Sequence, residues 1–540
     1  MAVAAPRSFF SSRFFVVLIS LALVLAALGG SVFRYLTASA QIAVGQSRSI
    51  AIATTFVPAT SPFSLSLLST PESLLALSQS GLPDDQIIAE GQQLRQSLSA
   101  LIGLDYERDV LPWLGGEMTF ALTDMDLDAD AANGEQPGYL LAIAIAPNRQ
   151  LEAREALRLL WQRRSLSGDV PRSERVSGVR LLYSAQLESK GVGAAASALV
   201  GDRFVLFAND ARVLRRSIRA AQSTTNLAQN RAYRETVAQL PDERVGLAYF
   251  EPSRMAMSLE LSSGGVVARL RQAQRVGLSA KRFVNEDISL GADEISRTMA
   301  FLPAESQWAI ASADLSERSS ALSALGVAEK DLPSFMASAA DGFYALGRVN
   351  AGWILIIERD EEKVAAQDAA ALEKGYSAVP VALGEDEAAE NDLKESGAAN
   401  EAIAWTRFKA KSRSRTTSSG LQTEVLGLHM PLGNYEIFTD TLGAMEQAMA
   451  ASKESPNRAL SQSLSQSSQF KQAASVLPQP NGGYLYLSGD TAASLLQRQS
   501  SQVQRTARAL DPLLSRVRSS SVAVGTDEQD SLSVFIQMSR

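Results

Sequence analysis

One stretch of sequence occurs twice at a fixed spacing and decides how the chain folds. Residues 227–249, LAQNRAYRETVAQLPDERVGLAY, match residues 464–486, LSQSSQFKQAASVLPQPNGGYLY, at five anchor positions that are each 237 residues apart. The matched pairs are Leu227 and Leu464, Tyr233 and Phe470, Leu240-Pro241 and Leu477-Pro478, Gly246 and Gly483, and Tyr249 and Tyr486. Self-similarity at a fixed spacing is the signature of repeated structural units. It predicts two tandem homologous copies, residues 50–301 and 302–540.

Each copy alternates short β-rich runs with amphipathic helices. Met118–Leu122 and Tyr139–Ile145 are separated by turn-forming residues, which is typical of a hairpin. Leu151–Arg163 and Asp210–Gln222 carry apolar residues at helical spacing, and Asp210 is a suitable N-cap. Hairpins followed by helices favour the α+β class, with a mainly antiparallel sheet and helices packed on one face.

A Leu-Pro or Val-Pro pair precedes an apolar run four times. The pairs are Val57-Pro58, Leu240-Pro241, Leu302-Pro303 and Leu477-Pro478. Proline is tolerated where a strand begins, because its missing N–H needs no ladder partner there. After each run, a short segment has the composition of a first helical turn, so a helix is predicted there. These segments are Thr70-Pro71-Glu72, Glu251-Pro252-Ser253, Ala313-Asp314-Leu315 and Ser488-Gly489-Asp490.

The N-terminus carries an apolar segment long enough to cross a membrane. Residues 14–33 are twenty uncharged, mostly apolar residues, and a helix rising about 1.5 Å per residue would cover the roughly 30 Å bilayer core. Arg7 and Arg13 precede it, so the positive-inside rule predicts a cytoplasmic tail at 1–13, an anchor at 14–33 and a linker at 34–49. The alternative is a cleaved secretory signal ending at Ala38-Ser39-Ala40.

Composition excludes several classes of function. The 540 residues include 51 basic and 58 acidic side chains, a formal charge of -7 that argues against a nucleic-acid binder. There is no cysteine and one histidine, so disulfides, thiol nucleophiles and multi-histidine metal sites cannot form. The one histidine, His429, lies among apolar residues near a strand, where a structural imidazole is the favoured interpretation. Trp113 and Trp353 are expected in the core.

An acidic stretch in the first copy has the spacing of a calcium loop. Carboxylates follow one another at alternate positions, with a glutamate at the twelfth, as hard oxygen ligands for Ca²⁺ require. The candidate ligands are Asp124, Asp126, Asp128, Asp130 and Glu135. Ala129 replaces the usual glycine, and the second copy has no such loop. The alternative is an exposed acidic hairpin turn.

A basic stretch of the second copy alternates with other residues, so a strand would place five cations on one face. These are Arg407, Lys409, Lys411, Arg413 and Arg415. Such a face could meet an anionic lipid head group or an acidic glycan, and it could equally be a solvated sheet face. The acidic segment 384–402 before it is predicted to be a flexible insertion.

Two further motifs fit their chemistry poorly. Ser468-x-x-Lys471 has the spacing of the serine–lysine pair of penicillin-recognising enzymes, but the other motifs of those enzymes do not follow. Gly191-Val192-Gly193 lacks the lysine of a phosphate loop. A helix surface and a turn are the favoured interpretations.

Two segments of the first copy resemble a known family. Residues 103–115, GLDYERDVLPWLG, followed by 136–141, QPGYLL, are similar to the hallmark segment of domain of unknown function family 3352, common in cyanobacteria. Residues 200–209, VGDRFVLFAN, are a second similar stretch. The second copy departs from the pattern, with 340–343 reading ADGF where 114–117 reads LGGE. The resemblance implies a membrane-anchored exported protein and no catalytic residue.

The shared residues of the two copies are Leu, Tyr, Phe, Pro and Gly, which maintain a fold and carry no chemistry. We therefore expect a single-pass membrane protein with its body on the periplasmic or lumenal side, acting as a non-catalytic binding or scaffolding element. Its expected partners are the membrane, through 14–33, and other envelope or thylakoid membrane proteins, with calcium as the one candidate cofactor. The alternatives are a carrier of lipid or pigment between sheet and helices, and a carboxylate or metal-dependent envelope hydrolase centred on Asp124.

Overall fold

The fold is known from a computed structural model. It describes residues 51–68, 99, 102–128, 136–184, 194–262, 265–272, 292–314, 322, 325, 327, 333, 341–383, 401–410, 421–452, 462–479, 481–497, 517–525 and 532–538. The predicted anchor, 14–33, lies outside the described residues. Within these ranges, no helix is both long enough and apolar enough to span a bilayer.

The chain divides into two compact units, and the first contains the elements up to Gln272. Its strands are β1 (Phe63–Leu68), β2 (Leu114–Asp124), β3 (Gly138–Ile145), β4 (Arg172–Val176), β5 (Val179–Tyr183), β6 (Ala196–Val200), β7 (Phe204–Ala208), β8 (Gly246–Phe250), β9 (Met255–Ser262) and β10 (Gly265–Gln272). Its helices are α1 (Gln150–Leu166), α2 (Ala211–Ala221) and α3 (Arg231–Val237). The strands are antiparallel in the order β10-β9-β8-β1-β2-β3-β7-β6-β5-β4.

The second unit contains the elements from Ala292 to Gln537. Its strands are β11 (Trp308–Asp314), β12 (Asp341–Arg348), β13 (Trp353–Glu358), β14 (Ser377–Ala382), β15 (Glu401–Ala410), β16 (Leu421–Leu432), β17 (Tyr435–Thr439), β18 (Asn481–Ser488), β19 (Val517–Gly525) and β20 (Leu532–Met538). Its helices are α4 (Ala292–Met299), α5 (Glu361–Glu373), α6 (Leu442–Ser452), α7 (Ser468–Val476) and α8 (Gly489–Gln497). The strand order is β20-β19-β18-β11-β12-β13-β17-β16-β15-β14, and the pairs from β19 to β14 are antiparallel.

The mainly antiparallel α+β class predicted from the sequence is confirmed. The β2–β3 hairpin forms with Phe120 opposite Leu141, and α1 and α2 cover the two predicted helices. Asp210 caps α2 as predicted, because its side chain accepts a hydrogen bond from the backbone N–H of Arg212 at 2.6 Å. Local hydrophobic spacing was therefore sufficient to locate these elements.

Helices cover both faces of the first sheet, so the prediction of helices on one face was wrong. Leu140 and Ala142 of β3 join a hydrophobic cluster with α2 and α3, while Leu141 and Ile143 join another with α1. Residues of a strand that is buried on both faces are nearly all apolar and do not alternate with polar ones. The continuous apolar run LLAIAI, residues 140–145, is such a segment and already indicated a strand buried on both faces. In the second unit, Ile354, Leu355 and Ile356 of β13 are likewise buried one after another.

The helices predicted after the four proline pairs are confirmed only in part. Ala313 and Asp314 lie in β11, and Thr70-Pro71-Glu72 and Leu315 lie outside the described residues. A helix was predicted at Glu251-Pro252-Ser253, but these residues form a turn that leads directly into β9. The turn is closed by a hydrogen bond from Arg254 N–H to the Glu251 carbonyl, and Arg254 has a positive φ of 49°. Ser488-Gly489-Asp490 does lead into a helix, α8, as predicted. Residues 384–400 of the predicted acidic insertion lie outside the described residues, whereas Glu401 and Ala402 already belong to β15.

The segment 103–115 is held by a buried carboxylate. The Asp109 carboxylate accepts hydrogen bonds from Arg163 Nη1 at 2.6 Å and Arg108 Nε at 3.1 Å, and its backbone carbonyl accepts from Trp113 Nε1 at 2.6 Å. Burial acts to raise the pKa of Asp109, but the hydrogen bonds from Arg163 and Arg108 outweigh it and lower the pKa to about 2. Trp113 is 1% exposed and Trp353 is 5% exposed, as the sequence predicted. This motif therefore serves the fold.

Candidate functional site

The described part of the acidic loop uses its carboxylates to close the β2–β3 connection. Asp124 Oδ2 accepts from Arg216 Nη1 at 2.8 Å, and its Oδ1 accepts from the backbone N–H of Asp126 at 3.3 Å. Asp126 Oδ1 in turn accepts from the N–H of Gln136 at 3.3 Å. Asp128 is described, whereas Asp130 and Glu135 lie outside the described residues. Calcium binding by this loop stays a prediction.

The basic stretch is only partly within the described chain. Arg407 lies in β15, where it donates to Glu424 Oε2 at 2.7 Å and its guanidinium stacks over Tyr376 at 4.4 Å. The positive charge of Arg407 is therefore paired with Glu424 within the sheet. Lys409 also lies in β15, and Lys411, Arg413 and Arg415 fall outside the described residues.

Neither of the other two motifs forms a site in the described structure. Ser468 and Lys471 lie on the exposed surface of α7, and the Ser468 hydroxyl bonds to Gln469 Oε1 at 3.3 Å. Gly191-Val192-Gly193 lies outside the described residues.

Two carboxylates lie beside the buried imidazole of His429. This residue lies in β16, directly opposite Phe438 of β17 and Ile403 of β15. Its Nδ1 atom is 2.7 Å from Glu436 Oε1, and both side chains are 3% exposed. A carboxylate accepts, so Nδ1 carries the proton and the ring is held in one orientation.

Asp368 of α5 and Trp405 of β15 complete this group, which we call the His429 cluster (His429, Glu436, Asp368 and Trp405). His429 Nε2 lies 3.4 Å from Asp368 Oδ1, and the same oxygen accepts from Trp405 Nε1 at 2.7 Å. The Asp368 side chain is 36% exposed, so the cluster opens to the surface through this carboxylate. Within the described ranges, Nε2 has no hydrogen-bond partner.

Aromatic rings hold the imidazole in place. Trp405 stacks on His429 with ring centroids 5.1 Å apart, and Phe438 stacks on it at 5.6 Å. Strand pairing produces this arrangement, because His429 and Phe438 are cross-strand partners and Trp405 comes two residues after Ile403, the partner of His429 in β15. The ring therefore cannot turn away from its two carboxylates without disturbing the core.

The same place in the first unit carries no ionisable group. Ser197 of β6 is the cross-strand partner of Phe207, as His429 is of Phe438, and its hydroxyl accepts from Trp161 Nε1 at 2.8 Å. The second residue of β7 is Val205, whereas the second residue of β17 is Glu436. Among the described residues, the His429–Glu436 pair therefore has no ionisable counterpart at these positions of β6 and β7.

Sequence reasoning found His429 but missed Glu436 and Asp368. The available signal was a glutamate inside YEIFT, residues 435–439, at a place where the first copy has the wholly apolar FVLFA, residues 204–208. Asp368 gave no comparable signal, because an aspartate on a helix is usually solvated. A search for three or more His, Cys, Asp or Glu side chains arranged around one metal ion finds no such group within the described ranges.

A family model described as "Protein of unknown function (DUF3352)" matches residues 17–539. The chain belongs to this family. The resemblance noted from residues 103–115, 136–141 and 200–209 is thereby confirmed, and the match to the DUF3352 model spans both units and the whole His429 cluster. No curated protein and no solved structure matches the chain.

Proposed function

We propose that this DUF3352 protein is a single-pass membrane protein whose body, built from two tandem homologous modules, lies on the extracytoplasmic side and acts as a non-catalytic binding or scaffolding element. The observation that carries the two-module part of the proposal is the strand order. Adding ten to each strand number of the first unit reproduces the order of the second. Two unrelated sheets of ten strands would rarely share such an order.

Register supports the duplication residue by residue. Gly246 and Tyr249 of β8 lie opposite Leu67 and Ser64, and their repeat partners Gly483 and Tyr486 of β18 lie opposite Ser312 and Ala309. Ser64 and Ala309 each lie six residues after the matched prolines, Pro58 and Pro303, so the two registers agree.

Backbone contacts outside the strands agree as well. Leu227 N–H donates to the Val57 carbonyl, and Leu464 N–H donates to the Leu302 carbonyl, each at 2.7 Å. The following prolines, Pro58 and Pro303, each form an isolated bridge, with Asn226 and Ser463 respectively. These contacts join the same repeated positions in both units.

The non-catalytic role is supported by what the two units share. Their common positions pack the sheet, cap helices and close turns, whereas the ionisable cluster at His429 has no counterpart in the first unit. Residues 14–33 support the anchor because they suit a bilayer in length and polarity, and the family match already begins at residue 17. Partners are then expected among proteins of the same membrane.

Fractionation of the native membranes tests the anchor. The full-length chain should stay in the membrane pellet after alkaline washing, and protease added to the extracytoplasmic side should digest the body. A variant with Leu21, Leu23 and Leu25 changed to Asp should be extracted, whereas a control with Leu372, an exposed leucine of the body, changed to Asp should not. A mature protein that begins at Gln41 would contradict a retained anchor.

Crosslinking in intact membranes tests the scaffolding role. Crosslinking followed by purification of the full-length protein should give defined protein adducts that disappear in the extractable variant. Stoichiometric lipid or pigment in the purified protein, without protein adducts, would support a carrier instead. Hydrolysis of envelope glycans that is lost with Asp124→Asn would support the hydrolase.

A further inference from the structure

We propose that one edge of the first sheet, together with the end of α1 that precedes it, binds the anionic lipid head groups of a bilayer surface. This edge surface consists of Leu166, Val170, Arg172, Arg175 and Arg180. It deepens the proposed function and rests on the proposed membrane anchor, because it is a second place at which the body contacts the same bilayer.

The β4–β5 hairpin at this edge carries positive charges that nothing nearby neutralises. Arg175 of β4 and Arg180 of β5 are direct cross-strand partners, and both are exposed. Like charges directly opposite each other destabilise an antiparallel pair. Among the described residues, neither arginine forms an ion pair with a carboxylate, and Arg180 Nε donates to the uncharged Ser173 Oγ at 3.1 Å. An anion bound from outside would relieve this repulsion.

The beginning of β4 adds a third cation of the same kind. Arg172, the first residue of the strand, is exposed and has no ion pair in the described part of the chain. Glu174, the acidic residue of β4, is bound to Arg215 of α2. The three arginines of the hairpin therefore face solvent without a carboxylate of their own.

Two strongly exposed apolar side chains lie on the link that leads from α1 into β4. Leu166, the last residue of α1, is 82% exposed, and Val170 is 69% exposed. A single exposed apolar residue is common on a protein surface. Apolar side chains beside arginines, however, are typical of segments that lie in the lipid head-group region, where the apolar groups enter the acyl boundary and the cations meet the anionic lipids.

Charges on an edge strand can also protect it against aggregation. The corresponding edge strand of the second unit, β14, has the sequence SAVPVA, with no charged residue and with Pro380 in its interior. Proline blocks pairing at an edge as well. Protection in this fold therefore does not require cations, and it does not account for two arginines placed directly opposite each other.

Charge complementarity favours an anionic occupant. The chain as a whole has a formal charge of -7, yet residues 163–180 contain five arginines and two acidic residues. An acidic protein would also complement this charge, but it would not explain the exposure of Leu166 and Val170. A bilayer surface with anionic lipids accommodates both the cations and the apolar side chains.

The bilayer is also within reach of this edge. The proposed anchor ends at residue 33, and Ala51 belongs to the same hydrophobic cluster as Val176 of β4. At about 3.3–3.6 Å per residue, the chain from residue 33 to Ala51 spans at most about 60 Å. A unit of about 200 residues is roughly 45 Å across, so any side of the first unit can turn toward the bilayer. Tethering raises the effective concentration of head groups and favours a weak contact.

The absence of cysteine allows the edge surface to be labelled at one position. Full-length protein carrying Ser167→Cys, next to Leu166, is labelled with an environment-sensitive fluorophore and placed in phosphatidylcholine nanodiscs with or without phosphatidylglycerol. Phosphatidylglycerol should bring the label into the head-group region, measured as quenching by lipid-attached nitroxides, and high salt should reverse the change. A label at Leu151→Cys, exposed about 20 Å away at the other end of α1, should stay in water.

Charge variants test the arginines. Changing Arg172, Arg175 and Arg180 to Gln in the Ser167→Cys protein should lower the ratio of lipid-contacting to water-exposed label roughly 100-fold, because each arginine at an anionic surface contributes about a fivefold factor. The matched control removes the same charge from three exposed cations elsewhere and should keep the quenching; these are Arg234, Lys374 and Lys471. The triple arginine variant should melt at the same or a higher temperature, since it loses like-charge repulsion, so unfolding would not explain its loss of contact.

The outcomes separate this surface from the anchor. A Ser167→Cys label that stays in water, in nanodiscs that contain the protein, would overturn the edge surface and leave the anchor intact. Protein that does not enter nanodiscs would contradict the anchor. The same labelled protein, mixed with phosphatidylglycerol vesicles, then tests the surface, and an unchanged label would overturn it.

Other results would also contradict the proposal. Equal quenching with and without phosphatidylglycerol, or quenching that the triple arginine variant retains, would show that the arginines do not recognise anionic lipid. Equal quenching at Leu151→Cys would show that the contact is not specific to this edge. Crosslinks from position 167 to an acidic protein in native membranes, without quenching by lipid, would assign the surface to a protein partner instead.

Discussion

The Nδ1 atom of His429 lies 2.7 Å from Oε1 of Glu436, and each side chain is almost completely shielded from water. The corresponding strand positions of the first unit hold Ser197 and Val205, neither of which carries a charge. Removing a carboxylate from water costs several kcal/mol unless hydrogen bonds or an opposite charge compensate. The effects of the glutamate and the histidine on stability therefore have to be considered together.

Glu436→Val should destabilise the protein by about 1–3 kcal/mol, because it leaves Nδ1 of His429 buried without an acceptor. The double variant His429→Ser with Glu436→Val reproduces the first unit's pair and should recover part of the loss, since no unpaired polar ring remains. Urea unfolding measures both. The exposed residue Glu243, changed to Gln, is the control and should alter stability by less than about 0.5 kcal/mol. A double variant that is no more stable than Glu436→Val would contradict the expected recovery.

Asp109 should make stability depend on acidity. Its pKa in the folded protein is about 2, below the ordinary value of 3.8, so its contribution is present above about pH 4 and is lost as the pH falls toward 2. Arg163 and Arg108 are partly exposed, so we expect this contribution to be about 1–2 kcal/mol. Unfolding free energies at several pH values should show a smaller acid loss for Asp109→Asn than for the unsubstituted chain. Parallel pH profiles would contradict the assignment.

Two buried tyrosines should respond oppositely to the loss of a hydroxyl. The Tyr249 hydroxyl has no hydrogen-bond partner among the described residues, so Tyr249→Phe should leave stability unchanged or raise it by up to about 1 kcal/mol. The Tyr484 hydroxyl donates to Ser521 Oγ at 2.8 Å, and Tyr484→Phe should cost about 1 kcal/mol or more. Thermal unfolding of the two variants tests the contrast. A larger loss for Tyr249→Phe would show that its hydroxyl has a role in the fold.

Two glycines near helix starts should differ in their tolerance of a methyl group. A Cβ on Gly489 would collide with the backbone carbonyl of Val517, so Gly489→Ala should cost about 1–3 kcal/mol. At Gly443, the nearest atom is the Cβ of Ala351 at 3.6 Å, and Gly443→Ala should stabilise α6 by about 0.4–1 kcal/mol. Denaturant midpoints check both. Similar midpoints for the two variants would mean that β19 moves to accommodate the methyl group.

Local patterns in the sequence predicted the elements on which the sheets are built. The hairpin of β2 and β3, the helices α1 and α2 and the cap at Asp210 all depend on residues close together in the chain. The repeat between 227–249 and 464–486 could also be found without the structure, because its fixed spacing is visible in the amino-acid sequence. The predictions were wrong where the structure depends on distant residues. At Glu251, the composition is typical of the start of a helix, but the residues form a turn between β8 and β9, two strands that pair with each other.

By itself, the sequence determined the family, the α+β class and the positions of several strands, because hydrophobic period and turn residues act over a few neighbours. Only the tertiary structure decided that both faces of the sheet are covered and that His429 meets Glu436 and Asp368. Asp368 is 61 residues from His429, and nothing in the spacing relates the two. They meet because β15, β16 and β17 pair in a register that makes Trp405, His429 and Glu436 diagonal neighbours, and because Asp368 of α5 lies against His429. Register and packing depend on the whole sheet, and no short stretch of residues encodes them.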